Sequence, residues 1–260
     1  MSYFKLLKIQ NIFYFRYYTE QGLGMRNSFD AWYNKAKKDS GAAGAIWAQV
    51  ESSIRTMLLN KENSLSLARK RFMQSATNTG PDVFFELMRF DFIIDEEGKV
   101  YLMEANMSPN LSSAHFAPNA LLYEHVVLNT LSIAGLASHF PNNRPGDEER
   151  DENIISRKEI SISAETCKSS VCSGTKACNM TKCSACSQCL DTEKVAMFKK
   201  SYWEHVNRLD TVRIFPPREI PKLLKEESLL NYDSSGLKEN NRILVEWFKN
   251  KCNMDTSYCV

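Results

Sequence analysis

The first 166 residues contain no cysteine, and nowhere does the chain hold an apolar run long enough to cross a bilayer. The aromatic start, residues 1–18, is interrupted by Lys5, Lys8 and Arg16, and no clean apolar core with a small-residue cleavage site marks a secretory leader. Excess charge is lacking too. Thirty-three basic residues against 31 acidic ones leave +2, so no global field recruits nucleic acid or an anionic membrane surface, and any acidic partner must be met by local basic groups. No glycine-rich phosphate loop and no internal repeat are found. The four histidines, His115, His125, His139 and His205, lack ligand spacing, which favours packing roles.

What is present is a 43% apolar chain of 260 residues, enough for one or two globular domains. After irregular, glycine- and charge-rich connections at residues 22–24 and 35–44, Ile46, Val50, Ile54, Met57 and Leu58 recur at helical spacing and predict a helix over residues 45–60. Pro118 is placed to open a buried helix that ends before Gly135. Residues 142–163 turn polar and charged, as a linker or surface loop does. Phe198, Tyr202, Val206 and Leu209 predict another helix, residues 214–217 an extended segment, and Ile243, Leu244, Trp247 and Phe248 a last amphipathic helix.

Two β-rich runs, residues 84–94 and 99–105, flank Asp95-Glu96-Glu97-Gly98, a hairpin signal because acidic residues and glycine tolerate turn geometry. An even loop pairs Asp91 with Leu102 and puts Asp91, Glu104 and Asn106 on one face, with the two carboxylates diagonal at roughly 7–8 Å between backbones. A three-residue loop separates them. Two carboxylates and a carboxamide oxygen suit Mg²⁺ rather than structural zinc. The bland alternative is a solvated acidic face.

The stretch Phe85-Glu86-Leu87-Met88-Arg89-Phe90-Asp91-Phe92, with Tyr101-Leu102-Met103-Glu104-Ala105-Asn106-Met107-Ser108-Pro109, resembles the C-terminal signature of the tubulin tyrosine ligase-like family. The helix around Trp47 and the segment 212–216 resemble the family's flanking pieces more weakly. The resemblance implies an α/β fold of ATP-grasp type, here its C-terminal lobe of antiparallel sheet and packed helices, with a cysteine-rich insertion. It implies that Asp91, Glu104 and Asn106 bind the Mg²⁺ that bridges ATP phosphates. Arg89 stands where the family places glycine, so it is expected to compete with the metal, point away or touch phosphate.

The implied organisation is an irregular N-terminal segment, 1–44, as the remnant of a lobe; a metal-binding lobe, 45–140; a linker and cysteine-rich insertion, 141–192; and a C-terminal helical segment, 193–260, packing on the lobe. The nucleotide-holding first lobe, with its lysines, is not recognisable, and no catalytic residue is assigned. The implied chemistry activates a carboxylate as an acyl phosphate, which an amino group attacks. ATP and Mg²⁺ are the cofactors, glutamate the first choice of amino acid, and tubulin or another acidic tail the acceptor, met by Lys35, Lys37 and Lys38, Arg69 to Arg71 or Lys199 and Lys200. The alternative is a non-catalytic tubulin- or protein-binding pseudoenzyme. The expected location is cytoplasmic and microtubule-associated, with the secretory lumen as alternative.

Cys167, Cys172, Cys178, Cys183, Cys186 and Cys189 do not belong to the usual ligase core. The close spacing of the last three lets thiolates share one zinc, whereas disulfides offer fifteen connectivities; both remain open, since compartment decides. Cys252 and Cys259 form one disulfide or two free thiols. Three glycosylation sequons begin at Asn106, Asn110 and Asn179, and a glycan on Asn106 removes it as a ligand.

Overall fold

A computed structural model describes residues 2–7, 11–15, 25–75, 85–114, 120–136, 155–174, 177–219 and 228–260. The architecture is mixed α/β, with one antiparallel sheet and helices. Contacts divide it into two compact units, Met1–Thr130 with Asp210–Phe215, and Leu131–Leu209 with Pro216–Val260.

The first unit holds the sheet, in the order β4-β3-β1-β2-β5. Its strands are β1 (Ser2–Leu7), β2 (Asn11–Phe15), β3 (Phe85–Ile94), β4 (Val100–Met107) and β5 (Thr211–Phe215). Residues 1–44, expected to be irregular, instead supply β1, β2 and helix α1 (Met25–Lys37). The reason is tertiary: β1 lies between β2 and β3, where ladders on both sides satisfy its backbone groups. The extended segment expected near residue 214 is β5, which pairs with β2 and so belongs to this unit rather than to a C-terminal helical piece.

Helix α2 (Ala42–Ser75) begins near its expected start but runs fifteen residues past the expected end at 60. Ile46, Val50, Ile54 and Leu58 form its buried stripe. Glu51 and Arg55, expected between the apolar positions, are also buried, and the Arg55 guanidinium donates to the Ile214 carbonyl of β5 at 3.1 Å. At the hairpin end, the Gln49 amide donates to the Gly98 carbonyl at 2.9 Å and its oxygen accepts from the Val100 N–H at 3.1 Å. Trp47 bonds Asp30 of α1 at 2.7 Å, tying α1 to α2. Helix α3 (Ala120–Ile133) places Val126 in a cluster with Leu87, Leu111, Leu122 and Tyr123. Its expected start at Pro118 and the region 22–24 lie outside the described residues, as does most of the expected linker. Residues 157–160 of that linker form a short helix, α4 (Arg157–Ile160).

The second unit is built on α6 (Thr192–Val206) and α7 (Glu239–Met254), which follow α4 and α5 (Ala164–Lys168). Its core is aromatic. Trp247 stacks on Phe198 at 5.3 Å and meets Phe248 edge-on at 4.9 Å, while its indole donates to the Ile160 carbonyl at 2.8 Å. His205 is buried against Tyr258 with ring centroids 3.9 Å apart, a packing role. Leu209, expected to extend the α6 stripe, lies beyond the helix at φ 47°.

Candidate functional site

Five residues, 95–99, separate the terminal hairpin pair Ile94 and Val100. Gly98 takes φ +85°, and the Asp95 carboxylate accepts from the Lys99 N–H at 2.7 Å and from the Tyr101 hydroxyl at 3.1 Å. Those bonds, the Lys99 one foremost, hold the Asp95 carboxyl below its ordinary range.

An odd loop pairs Asp91 with Met103 and turns Glu104 to the opposite face if the ladder continues regularly. It does not continue regularly. Phe92 pairs with Leu102, but Asp91 pairs with Glu104, leaving Met103 as the extra residue of a β-bulge. One displaced residue reverses the alternation of the rest of β4. The expected partner Leu102 is therefore replaced, and the carboxylates of Asp91 and Glu104 stand directly opposite one another instead of diagonally. Asn106 pairs with Arg89 one step further along the same face, and its amide donates to Glu104 at 2.8 Å.

Arg89 turns toward the carboxylates rather than away from them. Its Nε and a terminal nitrogen each lie 3.2 Å from one Asp91 oxygen, and the same terminal nitrogen is 3.8 Å from Glu104. The side chains of Arg89 and Asp91 are 22% and 29% exposed, and Glu104 is 58% exposed. A bidentate guanidinium thus pairs with the Asp91 carboxylate and stands near that of Glu104. The alternation of β3 puts residues 89 and 91 on one face, which is the sequence signal for this contact. Ile93 and Tyr101 are exposed on that face, whereas Phe90 on the other is fully buried. Just beyond the site, Ser108 holds φ 52° before Pro109, a conformation non-glycine residues seldom adopt.

The donor set fits Mg²⁺ in kind: two opposed carboxylates and a carboxamide whose nitrogen is engaged by Glu104. No group of three His, Cys, Asp or Glu side chains is arranged for a metal among the described residues, so a bound Mg²⁺ would draw the rest of its shell from water and phosphate. Arg89 would also have to turn aside for such an ion.

These strands lie within a stretch, residues 9–148, that matches the model of the Tubulin-tyrosine ligase family. The chain belongs to the tubulin-tyrosine ligase family. It is also 27% identical over 252 residues to the "Probable tubulin polyglutamylase ttll-15" of Caenorhabditis elegans, an alignment covering 94% of this chain and 44% of that relative. The chain thus spans less than half the length of this family relative. No solved structure matches it. The family match ends before the first cysteine, whereas the alignment with the relative covers most of the chain.

In the cysteine segment the six sulfurs are joined as Cys167–Cys186, Cys172–Cys183 and Cys178–Cys189. Cys252 and Cys259 form a fourth disulfide, so no cysteine remains as a thiolate for zinc. The first three close loops of 19, 11 and 11 residues, each worth about 3 kcal/mol in loop-closure entropy. Among the described residues, regular structure here is limited to α5 and three-residue 3-10 turns, and Cys172, Cys183, Cys186 and Cys189 are themselves buried. The cystines supply the core that this segment's small side chains do not.

Among the basic groups expected to meet an acidic tail, Lys35, Lys37 and Lys38 are exposed, and Lys37 donates to the Glu96 carbonyl at 2.5 Å. Arg69 is half-buried, and Lys70 and Arg71 are exposed on α2.

Proposed function

We propose that this chain is the metal-carboxylate portion of an ATP- and Mg²⁺-dependent ligase of ATP-grasp type that joins an amino acid to an acidic protein segment. The observation that carries the reading is the bulge at Met103, which sets Glu104 opposite Asp91 and Asn106 beside it in a family of ligases. Asp91 and Glu104 would hold Mg²⁺, with the Asn106 oxygen as a further donor. When bound, the ion supplies charge neutralisation on the transferring phosphoryl group. The protein's own part is geometric. The bulge fixes the two carboxylates on one face, Asn106 orients Glu104, and the buried Phe90 anchors the strand from behind.

The polyglutamylase relative supports glutamate as the amino acid and tubulin as the acceptor. An acidic tail suits the exposed lysines at the end of α1 and the exposed Lys70 and Arg71 of α2.

Calorimetry of Mg²⁺ and ATP binding to the full-length gene product tests this reading. Glu104→Gln should weaken Mg²⁺-dependent nucleotide binding at least tenfold while leaving the melting temperature within a few degrees. Equal binding by wild type and variant refutes the site. A second reading, a protein-binding pseudoenzyme, is favoured by Arg89 across the carboxylates. It predicts no Mg²⁺ binding until that arginine is removed.

A further inference from the structure

Every cysteine of the chain is oxidised, and four of the six in the cross-linked segment are buried. Such an arrangement forms and persists where thiols are oxidised rather than in a reducing cytosol. Within it, Asn179 ends the 3-10 turn Ala177–Asn179, followed by Met180 and by Thr181, which opens the next turn. Asn179 is exposed, Met180 is 47% exposed and Thr181 is half-buried. Asn-X-Thr with X other than proline is the acceptor sequence for N-linked glycans, and its presence on the outside of a disulfide-linked loop gives it access and the right compartment.

The other two sequons lie outside the cystine-linked segment. Asn106 is half-buried and its amide nitrogen, the atom a glycan would take, is bonded to Glu104. Asn110 is exposed, its oxygen accepting from the Ser112 N–H at 2.8 Å, and it lies outside the cystine-linked segment.

We infer that this protein matures in the secretory pathway and carries an N-linked glycan on Asn179. The eight thiols pass their electrons and protons to a disulfide-donating oxidant of that compartment, giving four disulfides. At Asn179 the amide Nδ2 forms a bond to C1 of the first sugar of a lipid-pyrophosphate-linked oligosaccharide. The bond from C1 to the pyrophosphate oxygen breaks, the lipid pyrophosphate leaves, and the amide proton goes to solvent. The inference goes beyond the ligase reading and leaves its metal site and chemistry unchanged; it adds that the acidic protein segment is met in an oxidising lumen.

The test expresses the full-length gene product from its own coding sequence in animal cells. Digestion with peptide-N-glycosidase should increase its gel mobility, and Asn179→Gln should remove one such step. Thr181→Ala should abolish that step, whereas Thr181→Ser, which keeps the acceptor sequence, should restore it and so separates lost glycan from misfolding. A thiol-reactive polyethylene glycol should not label the denatured protein until it has been reduced. Unchanged mobility of wild type on digestion, an Asn179→Gln pattern identical to wild type, or full labelling without reduction overturns the inference. Loss of Mg²⁺ binding in Glu104→Gln is read independently of all three.

Discussion

Replacing Arg89 with alanine should strengthen Mg²⁺ binding at the Asp91–Glu104 pair by about tenfold. The guanidinium is a tethered competitor: it holds both Asp91 oxygens at 3.2 Å and stands 3.8 Å from Glu104. Ion pairs of this exposure are worth roughly 0.2–1 kcal/mol each, and the two-point contact with Asp91 belongs at the upper end of that range. Adding a few tenths for Glu104 gives roughly 1.4 kcal/mol, which a divalent ion must offset before it binds, and that is a factor of about ten in affinity. Removing a positive charge beside a dication acts in the same direction. The variant should itself be less stable by about 1 kcal/mol, since β3 then carries an unpaired aspartate. Calorimetric titration of Mg²⁺ at fixed ionic strength, beside a thermal melt, measures both. Unchanged or weaker Mg²⁺ binding in a folded Arg89→Ala protein would refute competition. Adding Glu104→Gln to Arg89→Ala should return the affinity to the wild-type level or below.

The hairpin turn should resist substitution: in Gly98→Ala a Cβ meets the Tyr33 hydroxyl at 2.7 Å on a backbone at φ +85°, so denaturant unfolding should show a loss of about 1–3 kcal/mol. A loss under 0.5 kcal/mol would mean the turn adapts. Stability should also fall in acid. Asp191 is held low by the Lys194 side chain and N–H, Asp255 by the Ser257 N–H and hydroxyl, and Asp95 chiefly by the Lys99 N–H. A carboxyl with a lowered folded pKa contributes its full share above the unfolded value near 4, and that share is lost as pH falls through the folded value. Melting temperatures should therefore decline progressively below pH 4, less steeply in Asp191→Asn; identical acid limbs for the two proteins would count against the Asp191 contribution.

Periodicity alone carries much of this fold, because amphipathic stripes are local. Ile46, Val50, Ile54 and Leu58, and Ile243, Leu244, Trp247 and Phe248, declare buried helix faces that the structure contains. The length of α2 was not legible: past Leu58 its Leu65 and Leu67 are exposed, so no continuing stripe marks it. Strands β1 and β2 were missed for a related reason. Their state depends on neighbours in the sheet, one of them supplied by residues 211–215.

By itself the sequence determined the chemical types at the site, two carboxylates and a carboxamide on hairpin strands, and the turn between them. Their register was decided only by tertiary structure, since a ladder is a property of two strands and a single bulged residue at Met103 reverses which face every later side chain occupies. The same division holds for the cysteines: the number and crowding of thiols are sequence facts, but one pairing among fifteen is selected by which sulfurs the folded chain brings together.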